Sequence, residues 1–301
     1  MLHENRDIFD DILLRVSAEY GIDAAIIEKD YYVTLLLRSI ASLVPDIIFK
    51  SGTSLSKCYR LIDRFSEDID LSIFEENEKP SEGRRRKLKE GIVEAVNAAG
   101  LNLEIFDEIR SRRDFNRYVI GYPSVFAFSA VNRKLIVETA VFTGIYPTET
   151  RNVGNYIFDY LSKENALDFM DTSEIQPFPI KVQKPERTFV DKVFALCDYY
   201  LDGKCEQHSR HIYDIYKLLE VVKPDESLKK LVNRVREERK QRSICLSAQD
   251  DVNINKLLAE IIEKEPYKAD YLATTEKLLF KKVPYDDAIK ILGKISETGI
   301  F

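Results

Sequence analysis

Two stretches decide the reading of this chain: Lys50-Ser51-Gly52-Thr53-Ser54-Leu55-Ser56-Lys57 and, one short helix later, Arg64-Phe65-Ser66-Glu67-Asp68-Ile69-Asp70-Leu71. The first follows an apolar run, Ile47-Ile48-Phe49, so it reads as a buried strand entering a small-residue turn and then a helix. Such a turn presents backbone N–H groups, hydroxyls and the positive end of a helix dipole, the chemistry that holds a polyphosphate. Gly52, Thr53 and Ser54 of the turn, and Lys57 of the helix, are therefore candidate nucleotide-binding residues. In the second stretch, Asp68 to Ile73 alternates polar and apolar, which predicts a strand with one wet face. Residues i and i+2 of a strand point the same way, so Asp68 and Asp70 share that face. Two neighbouring carboxylates repel unless a cation lies between them, and Mg²⁺ favours such oxygens together with substrate phosphates. Each half has a plainer reading, as an ordinary helix start and as a chance pair on a strand edge. In this order, and one helix apart, the two predict a working geometry for nucleotidyl transfer.

Outward from this centre the chain alternates helices and strands. Ile8 to Tyr20 has helical apolar spacing and ends at Gly21, and Asp23 caps a second helix that runs to Leu43. A helix over Leu88 to Ala99 stops at Gly100. Strand-like segments follow at Leu101 to Ile105, Tyr118 to Phe128 and Lys134 to Phe142. Glu138 sits inside the last of them. A carboxylate within a buried strand is costly unless it is paired or binds metal, so Glu138 is either a third metal ligand or the partner of a nearby arginine. After about residue 150 helices dominate, from Tyr156 to Phe169 and again from Thr188 onward, with Tyr267 to Leu279 read as one of them. A strand or linker carrying Pro177, Pro179 and Pro185 lies between. The expected fold is therefore α+β and bi-lobed: an α/β-type nucleotidyltransferase sheet domain over residues 1–150, and a mostly helical C-terminal domain over 151–301 that contributes to an active-site cleft.

At these residues the sequence resembles the AbiEii/AbiGii-type toxins, minimal nucleotidyltransferases of the polymerase-β superfamily. The two opening stretches look like that family's first motif, with Ser51 where glycine is common. Ile27-Glu28-Lys29-Asp30-Tyr31-Tyr32-Val33 resembles the segment upstream of it. Pro185 to Leu196 (Pro-Glu-Arg-Thr-Phe-Val-Asp-Lys-Val-Phe-Ala-Leu) resembles the lysine motif, and Arg210 to Leu219 (Arg-His-Ile-Tyr-Asp-Ile-Tyr-Lys-Leu-Leu) the last aspartate motif. The resemblance implies Asp68 and Asp70 as metal-binding and catalytic carboxylates. It places Gly52, Thr53 and Ser66 near the triphosphate, and Lys192 and Asp214 as catalytic or nucleotide-contacting groups. It further implies an NTP as substrate, Mg²⁺ as cofactor, an RNA acceptor with tRNA 3′ ends foremost, and a cognate antitoxin within a type IV toxin–antitoxin or phage-defence pair. On a helical wheel Lys192 flanks the stripe of Phe189, Val193, Leu196 and Tyr200, and Asp214 flanks Ile215, Leu218 and Leu219. Read without the resemblance, Lys192 is a snorkelling lysine and Asp214 an exposed partner of Arg210.

Composition bounds the alternatives. The chain has 301 residues, 45% hydrophobic and 32% charged, with a formal charge of −6. That length buries roughly 75% of the unfolded surface, so no disulfide or metal is needed for stability. Four cysteines without paired spacing read as reduced thiols of a cytoplasmic protein, and no secretory signal or membrane-spanning run is apparent. The acidic total argues against indiscriminate coating of nucleic acid. Basic clusters survive at Arg84–Lys89, at Arg110, Arg112, Arg113 and Arg117, and at Arg234–Arg242, each most simply a solvated face. Cys205-x-x-His208-x-x-His211 could supply three metal ligands without an evident fourth. Two other functions fit less of the pattern: a transferase that nucleotidylates a protein hydroxyl, and a non-catalytic nucleotide-sensing or interaction module.

Overall fold

The structure, a computed structural model, describes every residue except 67, 76–79, 105–108, 111–112, 127–131, 144–146 and 170. The chain forms two compact units, Met1–Arg60 with Ser66–Gln183, and Leu61–Phe65 with Lys184–Phe301.

The first unit opens with α1 (Arg6–Tyr20) and α2 (Ala24–Leu43). Gly21 ends α1 at φ 65°, a left-handed turn open to a residue without Cβ. The Asp23 carboxylate accepts the Ala25 N–H at 2.8 Å and starts α2. There follow β1 (Ile48–Lys50), α3 (Ser51–Lys57), β2 (Asp68–Glu75), α4 (Glu82–Ala98), β3 (Asn102–Leu103), β4 (Phe115–Gly121), β5 (Lys134–Thr143), β6 (Thr148–Val153), α5 (Tyr156–Lys163) and β7 (Phe178–Gln183). The strands make one seven-stranded mixed sheet in the order β3-β4-β5-β2-β1-β7-β6. β2 lies antiparallel to β1 and parallel to β5, and β7 lies parallel to β1. One face is apolar: Phe49, Ile69, Leu71, Tyr118 and Val137 are fully buried. α2 packs against α1, α4, α5 and β7, and buries residues around most of its circumference, as a helix inside a core must. The opposite face carries the polar residues of β2.

The sheet unit extends to Gln183 rather than to 150, because β7 pairs with β1 in the sheet and β6 pairs with β7. β6 gives no apolar alternation, since Thr150, Arg151 and Asn152 lie exposed or nearly so on an edge strand. β4 starts earlier than its hydrophobicity implies and stops at Gly121, two residues before Pro123, which has no N–H for a ladder. Ile105, Arg112 and Phe128 lie outside the described residues, as does most of the polar loop before α4.

The second unit is helical: α6 (Pro185–Leu201), α7 (Arg210–Leu218), α8 (Glu226–Lys240), α9 (Ile254–Lys264), α10 (Lys268–Asp270), α11 (Glu276–Leu278) and α12 (Tyr285–Thr298). Pro185 occupies the first turn of α6, where its missing N–H costs nothing. α6 packs on α7, α8 and α9, and α12 on α7 and α9. Phe189, Val193, Phe194, Ile212, Leu258 and Leu292 are buried there. The single helix expected over Tyr267 to Leu279 is broken by a π-helical turn at Tyr271–Thr275. Residues 61–65 join this unit through a short antiparallel contact. Phe65 N–H donates to the Leu278 carbonyl (3.0 Å), Phe280 N–H donates to the Asp63 carbonyl (2.8 Å), and Arg64 bridges Leu279. Among the described residues no helix is long and apolar enough to cross a membrane.

One backbone feature decides a stability prediction. Ser51, the first residue of α3 directly after β1, has φ 63°, which costs a non-glycine residue about 1–2 kcal/mol. Ser51→Gly is expected to raise stability by about 1 kcal/mol, the relief of strain being partly offset by the extra entropy of an unfolded glycine. Urea unfolding checks it, and an unchanged or lower midpoint refutes the strain.

Candidate active site

In the first unit the site is built on one row of the sheet. Lys50 on β1 stands opposite Asp70 on β2, Asp70 opposite Glu138 on β5, and Glu138 opposite Arg117 on β4. The row therefore reads cation, carboxylate, carboxylate, cation. Asp68 stands two residues from Asp70 and shares its face. Burial pushes the Glu138 carboxyl above the ordinary carboxylate value, and the negative charges of Asp70 and Asp68 push it further. Arg117 and Lys50 act in the opposite direction. Arg117 Nε approaches Glu138 at 3.7 Å, so the arginine partnership considered for Glu138 is present alongside its closeness to the aspartates.

These three carboxylates are hard oxygen donors of the kind a divalent cation takes. Mg²⁺ is usually held by one or two carboxylates plus substrate phosphates rather than by a closed protein cage. Among the described residues no group of three His, Cys, Asp or Glu side chains forms such a cage. The three carboxylates do not by themselves make a metal site; one or two of them would hold a cation only with nucleotide oxygens completing its shell. The same observation bears on Cys205, His208 and His211. There the His208 ring stacks on Tyr199 at 3.5 Å and 6°, with His211 in parallel beyond, so the histidines form a ring stack rather than converging on a metal.

The turn is more structural than its residue types imply. No described side chain caps the N-terminus of α3, where Gly52 is buried. The Thr53 hydroxyl lies 2.9 Å from Ser66 Oγ and bonds the Asp68 carbonyl, which ties α3 to the start of β2. The Ser54 hydroxyl is fully buried and donates to the Ser51 carbonyl at 2.8 Å. Lys57 departs furthest from the expectation. Its ammonium is buried against Asp30 Oδ1 (2.5 Å), Thr34 Oγ1 (3.0 Å) and the Gly154 carbonyl (3.2 Å). With the Asp30 carbonyl at 3.4 Å, four acceptors surround its three N–H bonds, and nothing remains for a phosphate. Asp30, in the segment upstream of the turn, is thus a structural counter-ion. It also accepts the Tyr156 N–H. Its neighbour Glu28 accepts from the Ser124 hydroxyl and the Val125 N–H.

In the second unit Lys192 of α6 and Asp214 of α7 meet. Asp214 is fully buried, and Lys192 Nζ lies 2.6 Å from its Oδ2. Arg64 completes the cluster, with Nε and Nη2 each 2.7 Å from one oxygen of Asp214. Burial alone would raise the Asp214 carboxyl, but Arg64 and Lys192 outweigh it and hold the group well below the usual carboxylate range. Burial lowers the Lys192 ammonium, Asp214 opposing the shift. Neither plain reading holds: Lys192 does not snorkel to water, and Asp214 takes Arg64 and Lys192 as partners. Two cations face one carboxylate, so the cluster carries a net positive charge. Arg64 was missed as a site residue, although it stands inside the motif. Its partner lies 150 residues away, a separation that spacing cannot read.

A strand bearing paired carboxylates beside a Gly-Thr-Ser turn has chemistry suited to nucleotidyl transfer, and a family match makes the chain a nucleotidyltransferase. The family described as "Nucleotidyl transferase AbiEii toxin, Type IV TA system" matches residues 34–291, and the chain belongs to that family. Two solved structures are similar along most of their length. JHP933 from Helicobacter pylori is 16% identical and covers 87% of this chain and 88% of its own, at a TM-score of 0.43. MenT4, a nucleotidyltransferase toxin from Mycobacterium tuberculosis, is 12% identical and covers 94% and 98%, at 0.45. A search of curated proteins finds no match.

Two predictions separate structure from chemistry. Lys57→Met leaves Asp30 buried without its counter-charge and is expected to cost roughly 3–5 kcal/mol in urea unfolding. A variant of native stability with a raised KM for NTP would instead make Lys57 a phosphate ligand. Asp214→Asn strands two buried cations and carries a similar cost. Because the folded carboxyl is depressed, Asp214's contribution is fully present above the ordinary carboxylate pKa of about 4 and is lost as pH falls below it. The stability gap between wild type and Asp214→Asn is thus expected to be flat from about pH 5 to 8 and to shrink below about 4. A gap that persists into acid refutes the depressed carboxyl.

Proposed function

We propose that the enzyme transfers a nucleotidyl group from an NTP to an acceptor hydroxyl of RNA, tRNA 3′ ends foremost, in the cytoplasm and with Mg²⁺ as cofactor. The single observation that carries this reading is the pairing of Asp70 with Glu138 across parallel strands, with Asp68 on the same face. Asp68 and Asp70 are the metal-holding carboxylates, with Glu138 as the third. A divalent ion held there would supply neutralisation of phosphate charge. The acceptor hydroxyl gives its proton to solvent, its oxygen bonds to the α-phosphorus, the bond from that phosphorus to the β-phosphate oxygen breaks, and pyrophosphate leaves with that bond's electron pair. Backbone N–H groups at Gly52 and Thr53 face the triphosphate, with Ser66 beside them. Lys192 offsets phosphate charge. Asp214, ionised and doubly paired, is a poor proton acceptor and orients Lys192 instead. Positioning and charge compensation do most of the work. The toxin acts with an antitoxin encoded alongside it, and phage defence is the setting that suits such a pair.

A protein hydroxyl is the second reading, and one observation favours it. Arg84 pairs with Glu75, Arg85 with Asp114 and Arg86 with Glu90, so much of the first basic cluster is cancelled locally. Incubation with each labelled NTP and Mg²⁺, using total tRNA and cell protein as acceptors, decides between them. Label in tRNA alone is expected. Label in protein alone sinks the RNA reading, and label in neither sinks both. Asp68→Ala is expected to abolish transfer while far-UV circular dichroism is unchanged, since Asp68 is part-exposed; retained transfer refutes the metal assignment.

A further inference from the structure

Strand β4 presents residues to the carboxylate face that the proposed chemistry does not use. It starts Phe115-Asn116-Arg117-Tyr118, and burial alternates along it, with Phe115 and Arg117 exposed and Asn116 and Tyr118 buried. The buried Asn116 amide is bound to the backbone of Arg110 on both sides, which fixes the strand's entry. Register sets the exposed face. Arg117 lies opposite Glu138, which lies opposite Asp70, and Phe115 lies opposite Ala140, which lies opposite Ser72. Phe115 and Arg117 thus stand on the face of the three carboxylates, Arg117 one strand from Glu138 and two from Asp70. At about 4.8 Å between strands, Arg117 is about 10 Å across the sheet from Asp70.

Both side chains are unusual for a structural role. Phe115 is 51% exposed, and its cross-strand neighbour is only a methyl group. A phenylalanine left half in water gains little from burial, whereas a bare ring can stack on any base. Arg117 is 57% exposed, and its contact with Glu138 exceeds hydrogen-bonding distance. Such a pair contributes little to stability, while the guanidinium fork matches phosphate oxygens. Arg113, two positions before Phe115, is exposed as well. An aromatic ring set among arginines is the pattern that grips a single strand by base stacking and phosphate pairing.

We propose that β4 is the acceptor-binding strand, where a base of a single-stranded RNA end stacks on Phe115 and an adjoining phosphate pairs with Arg117. The assignment deepens the transferase reading and rests on it, since it names where the hydroxyl-bearing strand lies beside the carboxylates. A polypeptide offers the ring a flat partner only where it carries an aromatic residue, so the observations favour the polynucleotide.

The test is fluorescence anisotropy of the full chain with a labelled 12-nucleotide single-stranded RNA, without NTP, over a series of salt concentrations. Phe115→Ala is expected to weaken binding by about fivefold or more with the salt slope unchanged, and Phe115→Trp to restore it. Arg117→Ala is expected to lower the slope of log K against log salt by about 0.7, the loss of one phosphate contact on a single strand. Binding by both alanine variants equal to wild type overturns the proposal. So does oligonucleotide binding untouched by either variant while label enters protein alone, which assigns the acceptor to polypeptide. RNA binding that depends on Phe115, by a wild type that transfers nothing to RNA, upholds the strand assignment and defeats the transferase reading. Transfer to RNA whose KM for the acceptor neither variant changes does the reverse.

Discussion

Like charges on one sheet face must be compensated, and the first unit is organised around that constraint. Asp70 and Glu138 are brought opposite each other by the parallel pairing of β2 with β5. Lys50 and Arg117 flank them on the same row and lower the Glu138 carboxyl, while burial first, and then the charges of Asp70 and Asp68, push it upward. A row of this kind keeps like charges one strand apart only because cations stand at both of its ends. The apolar face beneath, with Phe49, Ile69, Leu71 and Val137 fully buried, gives the carboxylates a rigid base. The second unit carries the opposite imbalance, two cations on the buried Asp214. Only in the second unit is that charge held away from water by packing, since the carboxylates of the sheet row are part-exposed.

The same rule separates residues that hold the fold from residues that do chemistry. Lys57 and Asp30 neutralise one another, and the remaining acceptors around Lys57 complete its hydrogen bonds. A charge satisfied so fully is inert, whatever motif it stands in. Glu28 is similarly spent on the loop at Ser124 and Val125. The segment upstream of the turn therefore acts as a set of bolts for the sheet unit. Arg64 lies between the two cases. It is tied to Asp214 by both oxygens, but its charge, added to that of Lys192, exceeds what Asp214 can cancel.

How much of this was legible from sequence follows from the range of each interaction. Period two along β2 put Asp68 and Asp70 on one face, and a carboxylate inside an apolar strand singled out Glu138; both are local patterns. The order of strand, turn, helix and strand was likewise local. Pairings across the chain were not. Lys57 finds Asp30 and Arg64 finds Asp214 only through tertiary packing, so residue type alone assigned Lys57 to the nucleotide and passed over Arg64. β6 escaped notice because an exposed edge strand needs no apolar alternation. The last eighty residues carry no motif, yet on either side of Arg64 the Leu278 carbonyl accepts the Phe65 N–H and the Phe280 N–H donates to the Asp63 carbonyl. Backbone contacts leave no signature in side-chain identity.

Net charge is the clearest case of a global quantity misleading about a local one. At physiological ionic strength exposed charges are screened beyond about 8 Å, so a formal charge of −6 spread over 301 residues says little about any one face. Within that distance pairing decides. Arg84, Arg85 and Arg86 stand beside acids and present little net field. Arg117 also stands beside an acid, yet at 3.7 Å and more than half exposed it is held less closely than Arg84 is by Glu75 at 2.9 Å. A loosely held arginine thus counts for more toward a polyanion than a longer basic run paired along a helix.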